Sequence, residues 1–68
     1  MKYAVVFERS PANYSAYVPD LPGCVATGRT RNEVEQRVRE AIRMHLDALR
    51  TEKEPIPEPQ TWTELVEA

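Results

Sequence analysis

Tyr17-Val18-Pro19-Asp20-Leu21-Pro22-Gly23-Cys24 breaks a run of strand-forming residues with two prolines and a glycine. Neither proline can donate to a sheet ladder, so strand pairing has to be interrupted here. Pro22-Gly23 fits the two central positions of a type II turn, where Gly supplies the positive φ. Asp20 is expected to accept from backbone N–H groups two residues on, as an Asx-turn. Leu21, set between the prolines, is expected as a buried plug. The turn implies a strand on each side: residues 14–18 before it, and residues 24–27 after it, ended by Gly28.

Upstream, residues 2–8 read as another strand, with Tyr3, Val5 and Phe7 on one side and Ala4 and Val6 on the other. Arg9-Ser10-Pro11-Ala12-Asn13 is a turn, with Pro setting φ and Asn tolerating the left-handed region. So short a connection makes the two strands an antiparallel hairpin. Downstream, Thr30 and Glu33 match a capping box, in which each side chain satisfies an orphan N–H of a helix start. The helix is expected to run to about Lys53. Its apolar face is Val34, Val38, Ala41, Ile42, His45, Ala48 and Leu49, and Glu33–Arg37 and Glu35–Arg39 are spaced for ion pairs. Pro55, Pro57 and Pro59 end the helix and hold an extended stretch. Trp62, Leu65 and Val66 are too apolar to be left free, so residues 62–66 are expected as a fourth strand or a short helical turn.

The fold class is therefore α+β: an antiparallel three-stranded sheet with one long helix on one face, βββα, extended to βββαβ by the fourth strand. The other face exposes Tyr17 or Tyr14, depending on register, and needs cover. With 68 residues, the chain is expected to form one domain, residues 1–68, near the lower limit of independent stability. Cys24 is the only cysteine, which excludes an internal disulfide, and Cys24 and His45 alone cannot make a zinc site. Oligomerisation is the remaining source of burial, so a homodimer or tetramer is expected. No apolar run is long enough for a membrane span and no signal peptide opens the chain, so a cytoplasmic location is expected.

No catalytic, cofactor or metal site is expected. His45 falls on the apolar helical face, where a packed histidine is the ordinary occupant, and Cys24 reads as a small buried hydrophobe. The strands offer one carboxylate, Glu8, too few for a nuclease metal site. Arg29, Arg31, Arg37, Arg39, Arg43 and Arg50 are interleaved with acids and lack accompanying aromatics, so a solvated face is favoured over a nucleic-acid patch. The net charge of −2 and the single helix also argue against direct DNA binding. The segment after the helix is acidic: Glu52, Glu54, Glu58, Glu64 and Glu67 against Lys53. It reads either as a solvated terminal segment or as a surface for a basic partner.

The order of these features resembles the HicB-type antitoxin family. The residues that carry the resemblance are residues 3–8, the Tyr14-to-Cys24 stretch with Pro19, Asp20, Leu21, Pro22 and Gly23, then Gly28-Arg29-Thr30 before a Glu-bearing helix, and Ile56-Pro57-Glu58-Pro59. The resemblance implies a degenerate ribonuclease-H-like fold without that fold's catalytic acids. It also implies an antitoxin that covers the active site of a small, basic, RNA-cleaving toxin of the HicA type. Many family members carry a further C-terminal DNA-binding domain. This sequence ends at Ala68, so repression through such a domain is not expected, and Arg29 stands where relatives carry an acid. The alternative function is a stand-alone oligomeric structural or small-ligand-binding domain without a toxin. A nuclease on the same frame lacks its acids.

Overall fold

The computed structural model describes residues 1–68. β1 (Val6–Arg9), β2 (Tyr14–Tyr17) and β3 (Val25–Gly28) precede one helix, α1 (Arg31–Thr51). The strands form an antiparallel meander in the order β1-β2-β3, so the expected βββα arrangement is the observed one.

The register sorts the side chains into two faces. Val6, Tyr17 and Val25 lie side by side on one face, with Glu8, Ser15 and Thr27 as the next row on that face. Phe7, Ala16 and Ala26, then Arg9, Tyr14 and Gly28, face the helix. Tyr14 therefore packs inward and Tyr17 points out. The core between sheet and helix is Ala16, Val18, Leu21, Cys24, Val34 and Val38, with Tyr3, Val5, Tyr14, Ala26, Ala41, Ile42 and Leu46 packed around it. Burial of each Val or Leu here contributes on the order of 1.5–3 kcal/mol. Gly28 permits the closest approach of sheet and helix: a Cβ there would lie 2.7 Å from the Val34 backbone nitrogen.

The helix begins as its capping residues dictate. Thr30 is extended, and its Oγ1 accepts from the Glu33 N–H at 3.1 Å. The Glu33 carboxylate reaches back to the Arg29 N–H at 3.1 Å, one residue beyond the usual partner. Glu33 also pairs with Arg37, which donates to the Thr27 carbonyl and so ties the first helical turns to β3. The expected Glu35–Arg39 pair does not form; the second ion pair is Asp47–Arg50. On the packed face Ala48 is exposed and Leu46 takes part instead, because Val34, Val38, Ile42 and Leu46 form an i+4 ridge that drifts around the helix. The C-terminus is a Schellman motif: Lys53 N–H bonds to Arg50 O and Glu54 N–H to Leu49 O, with Lys53 at φ 58° where glycine is usual.

The structure corrects four local expectations. The first strand begins at Val6, not Lys2, because the residues that extrapolated register would set opposite 2–5 belong to the proline-containing loop, which bonds within itself. The third strand is displaced by one residue, to Val25–Gly28. Asn13 keeps a negative φ, and its side-chain oxygen accepts from Ser10 Oγ instead. There is no fourth strand and no second helix: residues 54–68 form no regular element and pair in no ladder. Pro55, Pro57 and Pro59 lack donors, and the N–H groups of Gln60 and Thr61 are bonded to a side chain.

Two substitutions test these assignments. Lys53→Gly relieves the left-handed residue and is expected to raise stability by about 0.5–1 kcal/mol in denaturant unfolding. Gly28→Ala drives a methyl into the helix backbone and is expected to cost about 1–3 kcal/mol by the same measurement.

Candidate functional site

The loop at residues 18–24 consists of two successive turns that share Leu21. Leu21 N–H bonds to Val18 O at 3.0 Å, closing a turn with Pro19 at its second position. Cys24 N–H bonds to Leu21 O at 3.0 Å, closing a turn with Pro22 second and Gly23 third. Gly23 has φ 85°, as a type II turn requires. Val18 N–H to Cys24 O completes the loop and extends the hairpin by one pair. Leu21 is fully buried, Val18 and Cys24 are buried, Pro19 and Asp20 are half-buried, and Pro22 and Gly23 face solvent.

Asp20 does not form the expected Asx-turn. Its Oδ2 accepts from the N–H of Gln60 at 3.0 Å and of Thr61 at 2.9 Å, and its Oδ1 accepts from Thr61 Oγ1 at 3.0 Å. Three residues earlier in this segment, Tyr3 OH donates to the Pro57 carbonyl at 2.5 Å. The acidic segment is thus fastened to the body at two points, with Ile56, Pro57 and Pro59 half-buried between helix end and loop. Neither Gln60, Thr61 nor Tyr3 stands out in the sequence as a site residue. The separation of Ile56-Pro57-Glu58-Pro59 from the helix end was the available signal. The Thr61 N–H holds the Asp20 carboxyl below its ordinary value; partial desolvation opposes this, and the Gln60 N–H and Thr61 hydroxyl add to the lowering.

Four features mark the surface. The first is the outer sheet face, where Tyr17 is 42% and Val25 63% exposed beside Val6. The second is the acidic segment. Glu52, Glu54, Glu58, Glu64 and Glu67 are all exposed, and none forms an ion pair. They do not converge: Glu52 and Glu54 cap the helix end, Glu58 lies between prolines, and Glu64 and Glu67 follow the Asp20 contact. The third is a polar hollow at Asn13, Thr27, Arg29, Glu33 and Arg37, already occupied by bonds among its own residues. The fourth is a groove between β1 and α1, described below.

His45 is half-buried on the helix without a side-chain hydrogen bond. The Cys24 thiol is buried and desolvation raises its pKa, which keeps it protonated and poorly nucleophilic. No three His, Cys, Asp or Glu side chains are grouped so as to hold a metal ion. No helix is long and apolar enough to cross a membrane. The arrangement presents surfaces for binding and brings no acid–base pair together.

The sequence profile described as the HicB-like antitoxin of bacterial toxin–antitoxin systems matches residues 3–68. A UPF0150 protein of Thermoplasma acidophilum is 38% identical over 58 residues, covering 84% of this chain and 84% of its own. A UPF0150 protein of Synechocystis is 36% identical over 56 residues, 81% of this chain and 71% of its own. Among solved structures, a chain of a HicA3 and HicB3 toxin–antitoxin complex is similar with a TM-score of 0.73 and 28% identity, over 87% of this chain and 70% of that one.

The Asp20 contact has a defined pH dependence. A carboxyl whose folded pKa is lowered contributes stability above its unfolded value, about 3.9, and loses it as pH falls through the lower folded value. Acidification below about pH 4 is therefore expected to free residues 60–61, read as movement of the Gln60 and Thr61 amide resonances. At neutral pH, Asp20→Asn is expected to speed hydrogen exchange at these two amides while leaving exchange in β2 unchanged. Unaltered protection of both amides would refute the role given to Asp20.

Proposed function

The chain belongs to the HicB-like antitoxin family, and from that premise we propose that it neutralises a small, basic, RNA-cleaving toxin of the HicA type by binding over it. The observation that carries this proposal is the likeness to a chain of the HicA3 and HicB3 complex across 87% of this sequence. HicB-like antitoxins are binding modules, and the surfaces described above suit that work: exposed apolar side chains on the sheet, and uncompensated carboxylates on the segment after the helix. Residues 1–68 act in this proposal as one HicB-like domain.

The carboxylates of Glu52, Glu54, Glu58, Glu64 and Glu67 serve in the approach of the toxin. Exposed single charges contribute little to a bound state, but a field of one sign accelerates encounter with an oppositely charged protein. Pro19, Asp20, Leu21, Pro22, Gly23 and Cys24 serve chiefly to build the loop and hold the acidic segment against it. The outer sheet face supplies the apolar contact. A homodimer or tetramer of this domain presents two or more copies of these surfaces.

The decisive experiment co-expresses the chain with the small basic reading frame beside its gene. A complex of fixed stoichiometry, with cleavage of RNA by the partner suppressed, is the expected result. Separate elution with cleavage unaffected would overturn the proposal and favour a stand-alone, ligand-binding domain. In the complex, replacing the five glutamates by Gln is expected to slow association roughly tenfold at low salt, with the difference vanishing as salt rises. Stopped-flow association across a salt series measures this.

A further inference from the structure

The helix lies over β3 and β2 and leaves β1 outside its cover. Between β1 and α1 runs an open groove floored by Tyr3, Val5, Phe7, Val38 and Ile42. Its upper end continues past Phe7 to Val34 and Arg31. Phe7 is 47% exposed although it points to the helix side of the sheet. β1 is also an edge strand, with unpaired backbone groups along its outer side.

The same molecule carries an unplaced apolar segment. Beyond Thr61, Trp62 is 77% exposed, and Leu65 and Val66 are more exposed still. Asp20 fixes the backbone of residues 60–61, after the segment has passed from Tyr3 to the β2–β3 loop. To enter its own groove the chain would have to reverse immediately, yet residues 62–68, Trp-Thr-Glu-Leu-Val-Glu-Ala, contain no Gly, Pro, Asn or Asp to make that turn. The radius of gyration, 13.1 Å, exceeds the roughly 11 Å of a compact chain of this length.

The geometry points to one occupant: residues 62–66 of a second copy lie in this groove, and the exchange is reciprocal. Length agrees. Five extended residues from Thr61 span about 17 Å, and the groove from Arg31 to Ile42 follows about 16 Å of helix. Arg9, Arg31 and Arg39 line the groove together with Glu8 and Glu35, a net of +1; none of the five is in an ion pair, and Glu64 of the entering segment is likewise unpaired. Two segments and two grooves close under twofold symmetry. In an extended segment Trp62 and Val66 share one face, so the four large apolar side chains of the two segments, with the groove residues they cover, remove on the order of 1,000 Å² from water, the lower end of a specific interface. Glu52, Glu54 and Glu58 precede the Asp20 contact, so they stay outside the exchanged segment and available to a basic partner. The proposal stands apart from toxin binding and is tested without a toxin.

Trp62 is the only tryptophan, so its fluorescence reports the event directly. The full-length chain is followed by sedimentation and by Trp emission over a concentration series. A dimer is expected, with a blue shift that grows with concentration. Trp62→Ala, in an exposed side chain, is expected to leave the fold intact by circular dichroism and to give a monomer. Phe7→Ser is expected to dissociate the dimer and keep Trp62 in water. Mixing these two variants restores one complete groove and segment, so a heterodimer with blue-shifted emission is expected from two monomers. A chain monomeric at every concentration would overturn the proposal. So would a dimer that survives Trp62→Ala, or a blue shift that persists in the monomer, which would mean the segment folds back on its own body.

Discussion

The five residues between Val18 and Cys24 constrain everything else in this small protein. Proline at the second position of each of two consecutive turns fixes the path, and Leu21 at their junction is driven inward. A leucine with no exposed surface is costly to lose where only 7 of 68 residues are buried. The same turns push Asp20 outward, where its carboxylate gathers two consecutive backbone N–H groups and a hydroxyl from a segment forty residues away. One loop thus closes the core on its inner side and fastens the end of the chain on its outer side. Asp20 in this loop and Tyr3 before β1 together hold residues 57–61 against the body.

What the sequence made legible was what depends on local chemistry. The Pro22-Gly23 turn, the Thr30 cap, the Glu33–Arg37 pair and the helical face through Val34 and Val38 all follow from spacing and residue type, and all are present. The fate of Asp20 was not legible, because an Asx-turn and a distant acceptor role need the same residue; only tertiary proximity to Thr61 decides between them. The beginning of β1 was misplaced for a related reason. Residues 2–5 alternate like a strand, but a strand needs a partner, and the residues opposite are folded into the loop. Residues 62–66 were expected to find cover on the strength of their apolarity. In the single chain they find none, and hydrophobicity by itself does not specify whose surface supplies it.

The sheet shows a similar incompleteness. A 21-residue helix is about 31 Å long, whereas four-residue strands extend only about 13 Å. The helix therefore overhangs the sheet. Because it also sits towards β3, the first strand keeps its inner face open. A chain of this size can make one half-covered sheet with a sound centre and unsatisfied margins, and binding is the property such margins confer. The family assignment and the physical form agree on that point.

The meander places neighbours in sequence beside neighbours in space: β1 on β2, β2 on β3, and the helix on the strand that precedes it. Contacts of this kind cost little loop entropy and form early. The links from Tyr3 to Pro57 and from Asp20 to Thr61 span 54 and 41 residues. The hairpins and helix need only these short-range contacts, whereas residues 57–61 need the body already formed. The order of events is then built into the topology: the body exists first, and the segment that completes it arrives last.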